Sequence, residues 1–210
     1  MKHWCPICFK SVDEHQPFMR WLKGGDGICG KCRANFEECN ENYQLHALNI
    51  HAFYYYNDYV ENQLFQYKEG RDIALAEVFL AAVREELFDR CRHKVLIPMP
   101  SAQRKISERG FSHLHEMLKG MNIECCDCLV KSEDYKQSLH RGKSRGQIKN
   151  VMKLKSADEI PTKKLVLFDD VCTSGSTLLA AYDLLREYND QITAEVICVH
   201  RHFVETCDEN

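Results

Sequence analysis

Four consecutive apolar residues, Leu165-Val166-Leu167-Phe168, run directly into Asp169-Asp170 and then into Thr173-Ser174-Gly175-Ser176-Thr177. A short continuous apolar run of this kind predicts a strand covered on both faces, and hence a parallel or mostly parallel sheet. The small, hydroxyl-rich stretch predicts a tight loop opening a helix, because Leu178, Tyr182, Leu185 and Tyr188 then share one helical face. The order strand, loop, helix sets the acidic pair at the carboxyl end of a buried strand, where open α/β sheets bind their ligands.

Two adjacent carboxylates at such an exit are unfavourable unless something cationic or hydroxylic meets them. A ribose diol, a Mg²⁺ ion or the positive charge developing on a sugar ring would each suit. Just beyond, Thr173 to Thr177 let the backbone wrap a phosphate while hydroxyls and the helix amino end donate hydrogen bonds. An acidic strand end and a Ser/Thr helix cap are each ordinary when taken alone. Their conjunction favours a site for a phosphorylated sugar. It is not an ATP-type P-loop, because no Gly-Lys-Ser/Thr follows the glycine.

The rest of the chain supports one α/β core with a small appendage, a reasonable content for 210 residues. Aromatic and β-favouring residues from Leu45 to Tyr56 predict one or two strands, and a short helix is expected to end near Lys68-Glu69-Gly70. Residues 73 to 90 have helical apolar spacing and lead into a buried strand, Val95-Leu96-Ile97. Ser107 to Met121 reads as helix and Ile123 to Val130 as strand. Ser132 to Gly146 reads as an exposed loop, and Ile192 to Val199 as a closing strand. Strands alternating with helices indicate a mostly parallel sheet with helices on both faces.

The first 40 residues differ in character, with five of the twelve cysteines and little apolar periodicity. Cys5-Pro-Ile-Cys8 and Cys29-Gly-Lys-Cys32 are two C-x-x-C pairs, and four thiolates complete the tetrahedral shell of a structural zinc ion. One Zn²⁺ is therefore expected in a module spanning 1–42, with 43–210 as the main domain. Disulfide pairing is the weaker reading, as no apolar signal segment is seen at the amino end and no run reaches the roughly 18 to 20 residues that span a bilayer. Cys39, His3 and His46 read as bystanders, and the Cys125, Cys126 and Cys128 group as core packing. A soluble, cytoplasmic protein without membrane insertion is the expectation.

A net charge of −3 gives no global attraction to nucleic acid. Yet Arg141, Lys143, Arg145, Lys149, Lys153 and Lys155 fall within fifteen residues that contain no acid. Three readings compete for this stretch: a solvated loop, a lid whose Arg141 or Arg145 closes over a diphosphate, or a surface for the phosphates of single-stranded DNA. Arg104 and Arg109 follow Pro98-Met99-Pro100-Ser101 at a second strand exit. They could neutralise a pyrophosphate or form packing salt bridges.

The segment Leu165 to Thr177 resembles the phosphoribosyl pyrophosphate (PRPP) signature of type I phosphoribosyltransferases. The resemblance implies that Asp169 and Asp170 contact the ribose hydroxyls and steady an oxocarbenium-like transition state, with Mg²⁺ accompanying PRPP. It gives Val171, Cys172, Thr173, Ser174, Gly175, Ser176 and Thr177 to the PRPP loop; Cys172 departs from the usual pattern. The ordered set of C-x-x-C module, Tyr67-Lys68-x-Gly70, Pro-x-Pro, Arg109-Gly110-Phe111, Gln137, Arg141/Arg145, Asn150 and the acidic loop is similar to the ComF family. That likeness implies a cytosolic role in natural transformation and uptake of single-stranded DNA beside a ComFA-like helicase or translocase. Two alternatives stay open: a nucleotide-salvage phosphoribosyltransferase, and a single-stranded-DNA-binding module with a vestigial transferase site.

Overall fold

The computed structural model describes residues 4–12, 27–131 and 152–208. Its centre is a five-stranded sheet built from β1 (Glu38–Leu45), β2 (Leu48–Tyr55), β3 (Val95–Pro98), β6 (Leu165–Cys172) and β7 (Ile192–Val199), in the order β1-β2-β7-β6-β3. β1 and β2 form an antiparallel hairpin, and every other pairing in this sheet is parallel. The α/β class and the mostly parallel sheet expected from the sequence are present. A separate antiparallel pair joins β4 (Leu129–Lys131) to β5 (Met152–Leu154).

Burial explains the central strands. Leu165 to Phe168 are all fully buried, as are Val196 to Val199 on β7, so neither strand shows an alternating polar face. β7, the last strand in the chain, is the middle strand of the sheet. β1 begins at Glu38, so it runs across position 42/43.

Helix α1 spans Gly30–Arg33, and α2 spans Asp58–Lys68. In α2, Val60, Leu64 and Tyr67 are buried at helical spacing, and the Asn57 side chain caps the first turn by accepting from the Val60 amide (2.9 Å). The single helix expected over 73 to 90 is instead a 3₁₀ turn, Ile73–Glu77, followed by turns and then α3 (Arg84–Cys91). Val78, Phe79 and Leu80 are all buried in succession. A segment surrounded on every side has no need of a 3.6-residue stripe, so its apolar content misled the periodicity.

Two further elements differ from expectation. Residues 107 to 121 divide into α4 (Gln103–Arg109) and α5 (His113–Leu118), because Gly110 takes a left-handed conformation (φ 90°) that terminates α4. Residues 123 to 130 are not one strand: Cys125 makes a lone bridge to Leu96, and β4 starts only at Leu129. Cys128 is fully buried, Cys126 partly and Cys125 exposed. Helix α6 (Ser176–Leu185) stops before Tyr188, which is exposed, and α7 (Arg201–Asp208) packs Phe203 edge-on to Tyr43 of β1. No helix among the described residues is long and apolar enough to cross a membrane.

Candidate functional site

β6 carries its ladder past the acidic pair to Cys172, so Asp169 and Asp170 are held by rigid strand rather than by loop. Asp169 is half-buried and Asp170 buried; Asp169 Oδ1 accepts from the Asp170 amide (2.9 Å). Asp170 Oδ2 accepts from the Lys68 ammonium, and its Oδ1 lies 3.7 Å from His113 Nε2. His113 is anchored by Ser101 Oγ on Nδ1 (3.0 Å) and by the Tyr67 hydroxyl, which donates to its carbonyl (2.7 Å).

Electrostatics follow from burial. The Asp169 carboxyl is pushed up to about 6 by desolvation, against the pull of Lys68 and Lys131. Lys68 is pushed down to about 8 by burial, with Asp169 resisting and Arg109 assisting. Burial, then Lys68 and Arg109, lower His113 to about 2, so its ring is neutral at physiological pH. His113, Asp169 and Asp170 bring one ligand atom each within 4.8 Å of one another, a geometry that could hold a cation.

Beyond Cys172 the chain bends through Thr173, Ser174 and Gly175 into α6, and a cleft is lined by Asp169 and by Val171 to Leu178. Gly175 (φ 67°, ψ 0°) starts the helix, and no side chain caps it there. Glycine is required twice at this position. A side chain would be strained in the left-handed region, and its Cβ would lie 2.3 Å from Leu45 Cδ2 and 3.1 Å from Phe203 Cε2. Ser174 and Ser176 hydroxyls meet at 2.9 Å across the bend. A cleft of this kind, with hydroxyls, a helix amino end and a carboxylate at its mouth, suits a sugar phosphate. Cys172 is buried and its thiol is pushed up to about 12 by burial, so it is inert packing.

The arginines divide. Arg104 is exposed and pairs with Glu108 one turn on (2.5 Å), whereas Arg109 is buried, donates from Nε to the Lys68 carbonyl (3.0 Å) and faces the Phe111 ring. Arg141 and Arg145 lie outside the described residues, as do Gln137 and Asn150. Lys68 and His113 stand against Asp170, with Ser101 of the expected pyrophosphate-side cluster behind His113; the sequence assigns no role to Lys68 or His113. Tyr67-Lys68-x-Gly70 stood out as a pattern without a chemistry, and His113 carries no local signal at all.

At the amino end, Cys5, Cys8, Cys29 and Cys32 bring their sulfurs within 4.8 Å of one another, and all four are free thiols. Cys5 and Cys8 sit in a tight turn closed by the Phe9 amide on the Cys5 carbonyl (2.8 Å), with Phe9 at φ 57°. Cys29 precedes α1, which carries Cys32. The Cys8–Cys29 sulfur separation of 3.6 Å is close to the ~3.8 Å edge of a tetrahedron with Zn–S of ~2.3 Å. The donor set fits a structural metal ion with no open position. Burial raises the Cys5 thiol, but the backbone amides of Cys29, Cys8 and Ile7 overcome it and bring it to about 7, within easy reach of the thiolate a metal needs. Phe36 docks this module on β2 and α2 through edge contacts with Tyr54 (5.5 Å) and Tyr59 (5.7 Å). Cys39 lies apart, on the Tyr43 hydroxyl (3.0 Å).

Residues 106–207 match the family model for the phosphoribosyl transferase domain. Over 185 residues the chain is 25% identical to the competence protein ComFC of Streptococcus pneumoniae, covering 87% of this chain and 74% of that protein. Over 188 residues it is 23% identical to the competence protein ComFC of Bacillus subtilis, covering 88% and 72%. The chain is thus a homologue of the ComFC proteins that carries a phosphoribosyl transferase domain behind a four-cysteine cluster able to hold a metal ion.

Proposed function

We propose that this chain binds PRPP at the exit of β6 and acts, as the names of its relatives suggest, in bacterial competence. The carrying observation is that Asp169, on rigid strand next to the Lys68-paired Asp170, lines the Thr173–Thr177 cleft. Asp169 and Asp170 accept from the ribose hydroxyls, and Thr173 to Thr177 donate to the 5-phosphate. Mg²⁺ enters with the diphosphate and screens its charge. Transfer of the phosphoribosyl group would leave positive charge on the sugar ring, which the two carboxylates stabilise from fixed positions. Zn²⁺ fills the Cys5/Cys8/Cys29/Cys32 cluster as a structural ion of a 1–42 module, and 43–210 form the transferase-like domain.

The setting is cytoplasmic handling of incoming single-stranded DNA beside a ComFA-like translocase, with the basic segment 141–155 meeting DNA phosphates and Arg141 or Arg145 closing over the diphosphate. Calorimetric titration with PRPP and Mg²⁺ tests the site. The wild type is expected to bind and Asp169→Ala/Asp170→Ala to lose binding; no heat from the wild type, or equal affinity in the double variant, removes the assignment.

A further inference from the structure

Asp170 is already occupied. Its side chain is 8% exposed, Lys68 Nζ bonds Oδ2, and His113 Nε2 stands 3.7 Å from Oδ1. A ribose diol that hydrogen-bonds this covered carboxylate competes with the ammonium for it. Lys68 is the last residue of α2, and its backbone carbonyl is held by Arg109 Nε (3.0 Å) while its four-carbon side chain can swing. Arg109 is itself only 7% exposed, and its Nη1 is buried without a hydrogen-bond partner. One movable cation therefore sits on the acidic pair, and behind it stands a fixed one that reaches Glu69 through Nη2 (4.0 Å) and keeps a spare donor at Nη1.

We propose that Lys68 determines specificity for the diphosphate: it neutralises Asp170 in the free protein and transfers its ammonium to the diphosphate of an incoming PRPP as the ribose diol takes its place. The inference rests on the PRPP reading of the same site. Its logic is one of charge conservation in a partly desolvated site, where the Lys68 side chain is 23% exposed and that of Asp170 8%. Ribose 5-phosphate would break the Lys68–Asp170 pair and leave a largely covered ammonium with only the more distant Asp169 to offset it, a costly outcome for a partly desolvated charge. PRPP breaks the same pair and supplies a replacement partner, with Arg109 Nη1 available as a second donor. Burial, which pushes Lys68 down to about 8, accords with an ammonium that depends on a neighbouring anion. Once the diphosphate has left, Lys68 returns to Asp170 and competes with whatever phosphoribosyl product remains.

Titrations of the zinc-loaded full chain at fixed Mg²⁺ with PRPP and with ribose 5-phosphate, in wild type, Lys68→Met and Lys68→Arg, give the test. Lys68→Met is expected to weaken PRPP by at least ~10-fold while leaving ribose 5-phosphate unchanged or tighter, and Lys68→Arg to keep most of the wild-type preference. The double variant Lys68→Met/Asp170→Asn, which buries no unpaired charge, should show the same fall in the PRPP to ribose 5-phosphate preference and serves where Lys68→Met does not fold. Equal changes for both ligands in either Met variant overturn the role of Lys68 while the site assignment stands. A wild type that binds no PRPP overturns both.

Discussion

The acidic pair should make the free protein less stable than it could be, and Asp169→Asn measures by how much. A carboxyl at about 6 in the folded chain and 3.8 when unfolded favours the protonated form on folding. Its contribution to stability is fully present below 3.8 and is lost as pH rises through about 6, so at pH 7.5 the ionised Asp169 is a burden. The difference in pKa amounts to ~3 kcal/mol. Partial solvent access at Asp169 brings the expected gain for the amide to about 2–3 kcal/mol. For a chain of this size that is a rise in Tm of roughly 5–12 °C. At pH 5 the same linkage gives about half the effect, because the native carboxyl is then mostly protonated. Urea denaturation of wild type and Asp169→Asn at pH 7.5 and pH 5, with zinc in excess, reads both numbers from the midpoints. An amide variant that is less stable at pH 7.5, or a gain that ignores pH, would refute the claim that burial and not a partner sets this carboxyl.

Three other outcomes are expected. Gly175→Ala should lose about 2–4 kcal/mol, combining left-handed strain with overpacking on Leu45, and should weaken PRPP binding more than an alanine at Thr173; chemical denaturation and calorimetry check the pair. Elemental analysis of purified protein should find one zinc per chain, and Cys32→Ser or a strong chelator should release it with a fall in Tm; full stability without metal would exclude a structural role. Arg90 donates from Nε to the buried Glu195 (2.8 Å), so Arg90→Met should cost about 3 kcal/mol by stranding a carboxylate that is only 3% exposed, whereas Glu195→Gln should be milder.

What could be read directly from the chain was whatever is settled by near neighbours. Leu165 to Phe168 is buried on both faces, so its continuous apolar run announced a central strand without ambiguity. The two C-x-x-C pairs similarly contain most of their own geometry. Lys68 and Asp170, by contrast, are 102 positions apart, and only the packing of α2 near the sheet's carboxyl edge makes them partners. No spacing rule reports that. His113 is harder still, because a histidine beside Leu114 and ahead of Met117 reads as helix interior until Ser101 and Tyr67 are seen to hold it. The helix expected at 73 to 90 failed for the opposite reason: its apolar spacing did not track one buried face, since Ile73 is exposed while Val78, Phe79 and Leu80 are buried in succession.

The two borders of the main sheet have a consequence for how this chain can be approached. β1 shows the exposed sequence Asn40-Glu41-Asn42 and a register irregularity between Glu38 and Glu41, which blunt a free border. β3 is four residues long, and its outer side is engaged by residues 124–126, where the Leu96 amide donates to the Glu124 carbonyl and the Cys126 amide to the Leu96 carbonyl (both 2.9 Å). Among the described residues, the β3 border is closed by backbone pairing and the β1 border is blunted by its polar side chains and its irregular register. Strand addition to this sheet is thus disfavoured at both ends, which leaves side chains on helices, loops and the cysteine module as the better-presented surface for a partner.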